Sequence, residues 1–475
     1  MKTVVKIAKG TGIVFSGKAI NSLLFMVTAV LVARVLGVDN FGLYSFVFAY
    51  LTFFNVIADM GIKTILVREI SKGKIEVAKL LGNAIIMRIT LSLLALLLAC
   101  FVVSFLNYPL STKILVYIAS LSFFTSLTLF YESVFQANHK MGYIVGVNIL
   151  DSLIKIVIFC VLVFSKAKLI LYIVASVVAP IPGLFIIIRL SKKFIRPKFK
   201  LDFKICKDLI KESWPLALTA AFIVLYVRID QLMLFQMKGA ESVGYYAAAV
   251  RLTEAFNILP AAFMMAVFPL FSKYFISSKK KLEKAYNFSF RYMAMVIIPI
   301  AVGISILSEP IINILYGGKF LGSVPALRIL IWSGIFSFLG TVHLNLLIAV
   351  GLQKLDFIFT SSGAAANILL NLFLIPRYGI VGAAIATVVA YSLGVPLSCL
   401  LLKTRKYGLA LVRSTLKPFI AAIIMGCFTY WAFSLGFGLL LVIPISMLLY
   451  LLVIILVKGF DIEDKKYFRQ IVFGA

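Results

Sequence analysis

The chain is built from long, continuous apolar stretches separated by short segments rich in charge, Gly, Pro and Asn. A helix needs about 20 predominantly apolar residues to cross a membrane, and these stretches do not alternate as strands would. The pattern predicts an all-α, polytopic membrane protein with about 14 transmembrane helices. The predicted spans are 11–35, 41–62, 80–106, 112–136, 141–164, 168–190, 213–236, 244–271, 285–308, 323–350, 355–375, 380–402, 411–433 and 436–458.

The composition excludes an ordinary soluble protein. Of the 475 residues, 62% are hydrophobic and only 14% are charged, against roughly 45–50% and about 25% in soluble domains. The five cysteines are far apart and are expected to act as small apolar fillers. A net charge of +29 would indicate nucleic acid in a soluble chain, but the basic residues lie in loops, so we expect no nucleic-acid partner.

The basic residues also predict the orientation. With a cytoplasmic N-terminus, the inward segments hold 33 Lys and Arg residues and the outward loops hold seven. We therefore expect both termini on the cytoplasmic side of a prokaryotic plasma membrane, with an uncleaved first span. The predicted domains are an N-terminal lobe (1–190), a cytoplasmic linker (191–212), a C-terminal lobe (213–402) and two further helices with a tail (403–475).

Two segments of the chain repeat each other. Residues 37–44 (GVDNFGLY) match residues 239–246 (GAESVGYY) at an offset of 202, and the same offset places residues 54–55 (FN) on 256–257 (FN). Six spans in each copy predict parallel repeats about an axis along the membrane normal, as in transporters that alternate access between two lobes. Chance similarity of apolar sequence is the alternative, although hydrophobicity alone does not produce a G-x-[DE]-x-x-G-x-Y motif.

Twelve ionisable residues of the predicted spans need an explanation, because each costs several kcal/mol there unless it has a partner or a wet cavity. Asp151 and Lys155 are spaced i,i+4 on one helical face and are expected to neutralise each other. Asp59 and Lys63 have the same spacing and are interpreted as a boundary pair. The twelve are Lys18, Arg88, Lys155, Arg228, Arg251, Arg291, Arg328, Asp59, Glu132, Asp151, Asp230 and Glu254.

Arg228 and Asp230 cannot be explained in this way, because residues spaced i,i+2 point to different sides of a helix. Arg251 and Glu254 on the next span are their nearest candidate partners in the sequence. Two interpretations stay open for these four residues. They form either a structural network between helices or a site for a ligand or a coupling ion, H⁺ or Na⁺.

Lys18, Arg88 and Glu132 lie in the cytoplasmic thirds of spans one, three and four. Cations there would favour an anionic headgroup, because Lys and Arg can replace the hydration of phosphate. Exposure at the membrane interface is the alternative for Lys18 and Arg88. Polar side chains that could replace water in a cavity are Asn21, Asn55, Asn148, Asn257 and Tyr226.

The sequence offers little for catalysis. His139 and His343 have no carboxylate or cysteine neighbours at ligand spacing, which argues against a metal centre. No nucleophile elbow, zinc-protease motif or phosphate-binding loop occurs. A membrane glycosyltransferase or polymerase is disfavoured because the outer loops are short and carry few of the acidic, Arg and His side chains that such enzymes use. We expect a protein that is not an enzyme and has no cofactor.

Three stretches resemble the polysaccharide transporters, which are the O-antigen and lipid-linked oligosaccharide flippases of the MATE-like superfamily. They begin at Leu31 (LVARVLGVDNFGLYSFVFAY), at Tyr226 (YVRIDQLMLFQMKGAESVGYY) and at Glu309 (EPIINILYGGKF). The third continues through NLFLIPRYGIVGAAIATVVAY to residue 391. The resemblance covers about residues 1–400.

This resemblance implies two six-helix lobes around a V-shaped cavity, followed by two extra helices. It implies transport of a polyprenyl- or dolichyl-linked glycan from the cytoplasmic to the outer leaflet, commonly driven by ion antiport. The expected partners are this glycan, membrane lipids and other polysaccharide-assembly proteins, and we expect a monomer. Multidrug exporters of the same superfamily and lipid II flippases are the alternatives, although lipid II flippases tend to carry more arginines in the first two spans.

Overall fold

The computed structural model describes the backbone of residues 2–73 and 76–460, with side chains from residue 15 onward. In this part of the chain the structure contains helices and turns and no strand, as the apolar pattern predicts. The helices are α1 (Lys2–Asp59), α2 (Ile62–Lys72), α3 (Val77–Phe105), α4 (Leu110–Ser120), α5 (Ser122–Thr125), α6 (Thr128–Ala137), α7 (Met141–Phe164), α8 (Leu169–Val178), α9 (Ile181–Ser191), α10 (Phe203–Ala255), α11 (Ile258–Ser277), α12 (Lys279–Ile306), α13 (Ser308–Tyr316), α14 (Val324–Leu330), α15 (Ser333–Ala349), α16 (Gln353–Ser392), α17 (Gly394–Leu400), α18 (Arg405–Ser434) and α19 (Leu439–Leu456), with a 3-10 turn at Gly318–Ser323.

Ten helical segments of the described chain are long and apolar enough to cross a membrane, or eleven with the bent pair Gly318–Leu330 and Ser333–Ala349. Three of them, Phe15–Lys72, Phe203–Ser277 and Gln353–Leu400, have 58, 75 and 48 residues. Each is much longer than the roughly 20 residues of one crossing. The predicted count of 14 is therefore not confirmed by the continuous helices and stays a prediction.

The chain forms two compact units, Met1–Ala247 and Ala248–Ala475. The core of the first unit contains Leu66, Leu81, Phe130 and Ile187 from α2, α3, α6 and α9. The core of the second unit contains Phe271, Phe290, Phe338 and Ala421 from α11, α12, α15 and α18. The boundary between the units lies within α10, and the lobes and linker drawn from topology stay a prediction.

Many large apolar side chains face outward. On α19, Leu440 is 92% exposed and Leu456 is 70% exposed, and Leu441, Leu448 and Ile455 are exposed as well. Such continuous apolar surface would be an aggregation hazard in water. It is the surface expected of helices that contact lipid.

The two repeated segments share an unusual backbone conformation. Gly37 has φ 74° and ψ 179°, and Gly239 has φ 81° and ψ −174°, and each interrupts a long helix. Glycine adopts positive φ without the steric penalty that a Cβ brings. The same break at positions 202 residues apart confirms that these segments correspond. We call residues 37–44 and 239–246 the two glycine elbows.

The two glycine elbows lie against each other within the first unit. A Cβ placed on Gly42 would stand 1.9 Å from the carbonyl oxygen of Ala240. A Cβ placed on Gly244 would stand 2.2 Å from the carbonyl oxygen of Val38. Gly42 corresponds to Gly244 and Val38 to Ala240, so the contact is reciprocal, as at a two-fold interface.

Aromatic rings extend the contact between α1 and α10. Phe46 stacks on Phe235 with ring centroids 3.7 Å apart, and Tyr108 lies edge-on to Phe235 at 5.2 Å. Phe46 is completely buried. Offset and edge-to-face ring pairs add about 0.5–1.5 kcal/mol beyond the burial of apolar area. These rings therefore favour a dry, close contact beside the glycine elbows.

The segment before α10 is fastened to the start of α3. The amide of Asn83 donates to the carbonyl of Lys200 at 2.9 Å and accepts from the backbone N–H of Asp202 at 2.8 Å. Lys79 forms an ion pair with Asp202 at 2.6 Å, and Lys198 forms one with Glu76. We call residues 196–202 the linker strap. It fixes where α10 begins relative to α3.

Candidate functional site

A polar cluster lies inside the first unit, where the end of α1 meets α3. Arg88 is fully buried, with 0% of its surface exposed. Its Nη2 donates to Oδ1 of Asn55 at 3.4 Å, and its Nη1 lies 4.0 Å from Oδ1 of Asp59. The guanidinium carbon is 5.6 Å from the centre of the Phe130 ring on α6, within cation–π range. The sequence predicted Arg88 and Asn55 as site residues, and the structure brings them together.

A second ion pair stands beside this cluster. Lys63 on α2 donates to Oε2 of Glu132 at 2.8 Å, and Glu132 lies on α6 two residues after Phe130. Glu132 is buried, whereas Lys63 is partly exposed. The predicted residue Glu132 is thus neutralised by Lys63. With Asp59 and Arg88, the group holds two cations and two anions.

The cluster leaves hydrogen-bonding capacity unused. Nε and Nη1 of Arg88 and Oδ1 of Asp59 are buried and have no hydrogen-bond partner among the described residues. A buried charge is costly unless its donors and acceptors are satisfied. Arg88 can donate two further hydrogen bonds to the oxygens of an anion.

The interpretation of Asp59 and Lys63 as a boundary pair is wrong. Asp59 faces Arg88, and Lys63 bonds to Glu132. Spacing of i,i+4 brings side chains together only on a continuous helix. Here α1 ends at Asp59, and Met60 (φ 48°) and Gly61 (φ 71°) turn the chain before α2 begins. The glycine at 61 was the sequence signal for this helix end.

The expected pairing of Asp151 with Lys155 is also wrong, although α7 is continuous there. The Lys155 ammonium lies 3.5 Å from the hydroxyl of Tyr44 and 5.3 Å from the centre of the Phe159 ring. Asp151 instead packs on Gly183 of α9, where an added Cβ would stand 2.0 Å from Oδ1 of Asp151. Packing against two different neighbouring helices outweighs the few tenths of a kcal/mol that such a pair contributes.

Asp230 lies at the other predicted site. It is 3% exposed, and its Oδ2 accepts a hydrogen bond of 2.7 Å from the hydroxyl of Tyr246. Tyr246 corresponds in the repeat to Tyr44, whose hydroxyl is 2.9 Å from Oγ of Ser176. The same tyrosine of the repeated motif therefore faces a lysine and a serine in one copy and a carboxylate in the other. Sequence reasoning did not identify this role of the two tyrosines.

The remaining predicted residues have different surroundings. Arg251 and Glu254 form an ion pair of 3.5 Å on the last turns of α10. Asn257 accepts a hydrogen bond of 3.0 Å from Ser337. Lys18 is exposed on α1, and Arg228 is half-buried. Among the residues that the structure describes, no three His, Cys, Asp or Glu side chains are grouped to hold a metal ion.

Comparison of the sequence with known proteins gives a consistent picture. The family model "Polysaccharide biosynthesis protein" matches residues 7–275. An uncharacterised membrane protein of Methanocaldococcus jannaschii is 26% identical over 46% of this chain, which spans 43% of that protein. A candidate O-antigen transporter of Shigella flexneri is 24% identical over 82% of this chain and 94% of its own length. A candidate low-salt glycan biosynthesis flippase of Haloferax volcanii is 26% identical over 76% of each chain.

Solved structures show the same fold. The lipid II flippase MurJ, in an inward closed conformation, has a TM-score of 0.76 over 94% of this chain and 98% of its own, at 21% identity. The MATE transporter VcmN of Vibrio cholerae has a TM-score of 0.61 over 89% of this chain and 99% of its own, at 16% identity. At these identities the likeness defines the fold and leaves the cargo open.

Proposed function

Because the chain belongs to the polysaccharide biosynthesis protein family, we propose that it is a flippase for lipid-linked glycan precursors. Its cargo would be a polyprenyl- or dolichyl-linked oligosaccharide or polysaccharide unit, moved from the cytoplasmic to the outer leaflet. The relatives named as O-antigen transporter and glycan flippase support this cargo class. The observation that carries the proposal is Arg88, a buried guanidinium with unused donors inside a membrane helix.

The physical need for such a residue is clear. A sugar-diphosphate headgroup cannot cross about 30 Å of hydrocarbon unaided, because its charges and hydroxyls would lose their water. A guanidinium can form two parallel hydrogen bonds to phosphate oxygens. Arg88, with the amide of Asn55 beside it at 3.4 Å, supplies a cation and a polar neighbour of this kind.

A change of partner at Arg88 would also couple an ion to transport. Asp59 lies 4.0 Å from the Arg88 guanidinium and is not hydrogen-bonded to it. Binding of H⁺ or Na⁺ by Asp59 would weaken its attraction for Arg88 and make the guanidinium available to an anionic headgroup. In this scheme the protein is a multi-pass monomer with cytoplasmic termini and alternates access between two lobes. It performs no catalysis, and its partners are the lipid-linked glycan, membrane lipids and other glycan-assembly proteins.

The test uses cells that lack this protein, in which the leaflet of the lipid-linked glycan is assigned with a membrane-impermeant probe. We expect the glycan to accumulate in the cytoplasmic leaflet and the wild-type gene to reverse this. Arg88→Gln should restore less than a tenth of the activity at equal membrane abundance, and exposed Lys192→Gln should restore all of it. An unchanged glycan with greater sensitivity to cationic drugs would overturn the cargo and favour a multidrug exporter.

A further inference from the structure

A second polar site lies in the second unit, far along the chain from Arg88. A groove of about 770 Å³ lies between the first turns of α12 and the first turns of α18, next to the end of α11. Among the described residues that line it are six cations and one carboxylate, Glu283. The cations are Lys279, Lys284, Arg291, Lys406, Arg413 and Lys417.

The cations follow the helical repeat on both walls. Lys284 and Arg291 are seven residues apart on α12, and Lys406 and Arg413 are seven apart on α18, with Lys417 one turn further. Residues spaced i,i+7 lie on one face of a helix. Two basic helix faces therefore meet across one groove. Lysines that are scattered along a membrane interface would not need to follow this helical spacing.

The floor of the groove is aromatic and closely packed. Tyr286 and Tyr407 are buried, and their rings contact edge-to-face with centroids 5.2 Å apart. Lys406 lies 4.9 Å from the centre of the Tyr407 ring. The cationic groups therefore lie over closely packed aromatic side chains, and a ligand would meet a preformed surface.

The groove also places cations at the starts of two helices. Lys279 lies in the first turn of α12 and Lys406 in the first turn of α18, and neither first turn holds an acidic residue. Cations are unfavourable at a helix N-terminus, whose partial positive charge attracts anions. A local arrangement that opposes stability is expected where it serves function.

We propose that this groove binds the phosphate or diphosphate headgroup of an anionic lipid. Basic pockets between membrane helices bind such headgroups at the membrane surface, and Lys and Arg form charge-assisted hydrogen bonds to phosphate oxygens. The basic loops place the groove on the predicted cytoplasmic side, where headgroups of the inner leaflet are within reach. The lipid is either the diphosphate-linked carrier before transport or a bulk anionic phospholipid. The first assignment rests on the proposed function, and the second is independent of it.

The test measures lipid binding to the purified full chain by native mass spectrometry. The full chain is used so that the protein keeps the acidic residues Asp461, Glu463 and Asp464, which follow the described residues in the sequence. The probes are a C15 prenyl diphosphate and phosphatidylglycerol, with phosphatidylcholine as the reference lipid. The groove variant is Lys406→Gln with Arg413→Gln. The matched control is Lys192→Gln with Lys193→Gln, which removes two exposed cations outside the groove.

We expect the groove variant to bind the prenyl diphosphate at least tenfold more weakly than the wild type, and the control to bind within twofold of it. The exchange Lys406→Arg with Arg413→Lys keeps both charges and should keep binding, which separates charge from damage to the fold. A preference of tenfold or more for the diphosphate identifies the carrier as the source, and equal binding of phosphatidylglycerol identifies bulk phospholipid. If the groove variant binds both anionic probes as tightly as the wild type does, the inference is wrong. This holds whatever the wild-type protein does in a transport assay.

Discussion

Gly42 and Gly244 each pack against the backbone of the glycine elbow that carries the other. A Cβ on Gly42 would stand 1.9 Å from the Ala240 carbonyl oxygen, and a Cβ on Gly244 would stand 2.2 Å from the Val38 carbonyl oxygen. A backbone oxygen cannot move aside as the end of a flexible side chain can. The repeated motif therefore keeps a glycine at this position in both copies because the elbows approach each other there.

Gly42→Ala and Gly244→Ala should each destabilise the protein by about 1–3 kcal/mol, because the added methyl overfills a close backbone contact. The measurement is thermal unfolding in detergent. Gly146→Ala on α7 is the control, since a Cβ there meets nothing within 4 Å, and it should be neutral or gain up to about 1 kcal/mol of helix propensity. Equal stability of Gly42→Ala and Gly146→Ala would show that the elbows do not pack closely.

The role of Arg88 can be separated from the stability that it lends. Arg88→Gln alone leaves Asp59 without its cation, and breaking a buried pair costs up to about 3–5 kcal/mol, less here because Asp59 is partly exposed. Arg88→Gln combined with Asp59→Asn should recover the thermal stability of the wild type. It should still transport at least tenfold more slowly, as measured by flipping of a lipid-linked glycan. Recovery of transport along with stability would mean that the pair is structural.

The two repeated tyrosines provide a matched comparison. Tyr246→Phe removes the donor to the buried Asp230, a hydrogen bond to a charged group worth about 1.5–3 kcal/mol. Tyr44→Phe removes the bond to Ser176 and the long contact of 3.5 Å with the Lys155 ammonium, and should cost only about 0.5–1.5 kcal/mol. Asp230→Asn should lower transport without preventing membrane insertion. Chemical unfolding ranks the two tyrosine variants, and equal losses would show that the charge of Asp230 adds nothing to the bond.

The linker strap should respond to acid. The Lys79 ammonium, helped by the backbone N–H of Ile205, holds the pKa of Asp202 below its ordinary value. A carboxyl whose pKa is lowered in the folded state stabilises above its unfolded pKa of about 3.9, and this contribution is lost as the pH falls through the folded pKa. Hydrogen-exchange protection of residues 196–202 should therefore begin to decrease near about pH 4 and should decrease further as the pH is lowered.

The variant Lys79→Gln should show weak protection of the linker strap already at pH 6, and Lys192→Gln should behave as the wild type. Protection factors, which correct for the intrinsic pH dependence of exchange, are the quantity to compare. Strap protection that is the same at pH 6 and pH 3 in the wild type would contradict this account.

The sequence allowed the all-helical membrane class and the correspondence of the two repeated segments to be predicted, because apolar length and a glycine motif are local properties. The contact between the two elbows was not predicted. The partners of the intramembrane charges were predicted poorly. Asp59 and Lys63 looked like an i,i+4 pair, but the chain turns at Gly61 and sends them to Arg88 and Glu132. Such partners depend on which helices pack together, and spacing along one helix carries no information about that packing.

The groove between α12 and α18 was missed for the same reason. Its cations are spread over residues 279–291 and 406–417, and in the sequence they read as ordinary inward loops and span ends. Only the packing of α12 on α18 brings them to one surface. The helical spacing of the basic residues at the start of each helix was a signal in the sequence, and its meaning required knowing that the helices are neighbours.

The most direct test of the central claim is flipping by the purified protein in proteoliposomes. A short-chain lipid-linked oligosaccharide is placed in both leaflets, and the fraction open to an added glycan-cleaving enzyme is followed in time. We expect the wild type to make nearly all of the lipid accessible, whereas empty liposomes and Arg88→Gln leave about the inner half protected. Protection that is equal with and without the wild-type protein would contradict the assignment of this chain as a flippase.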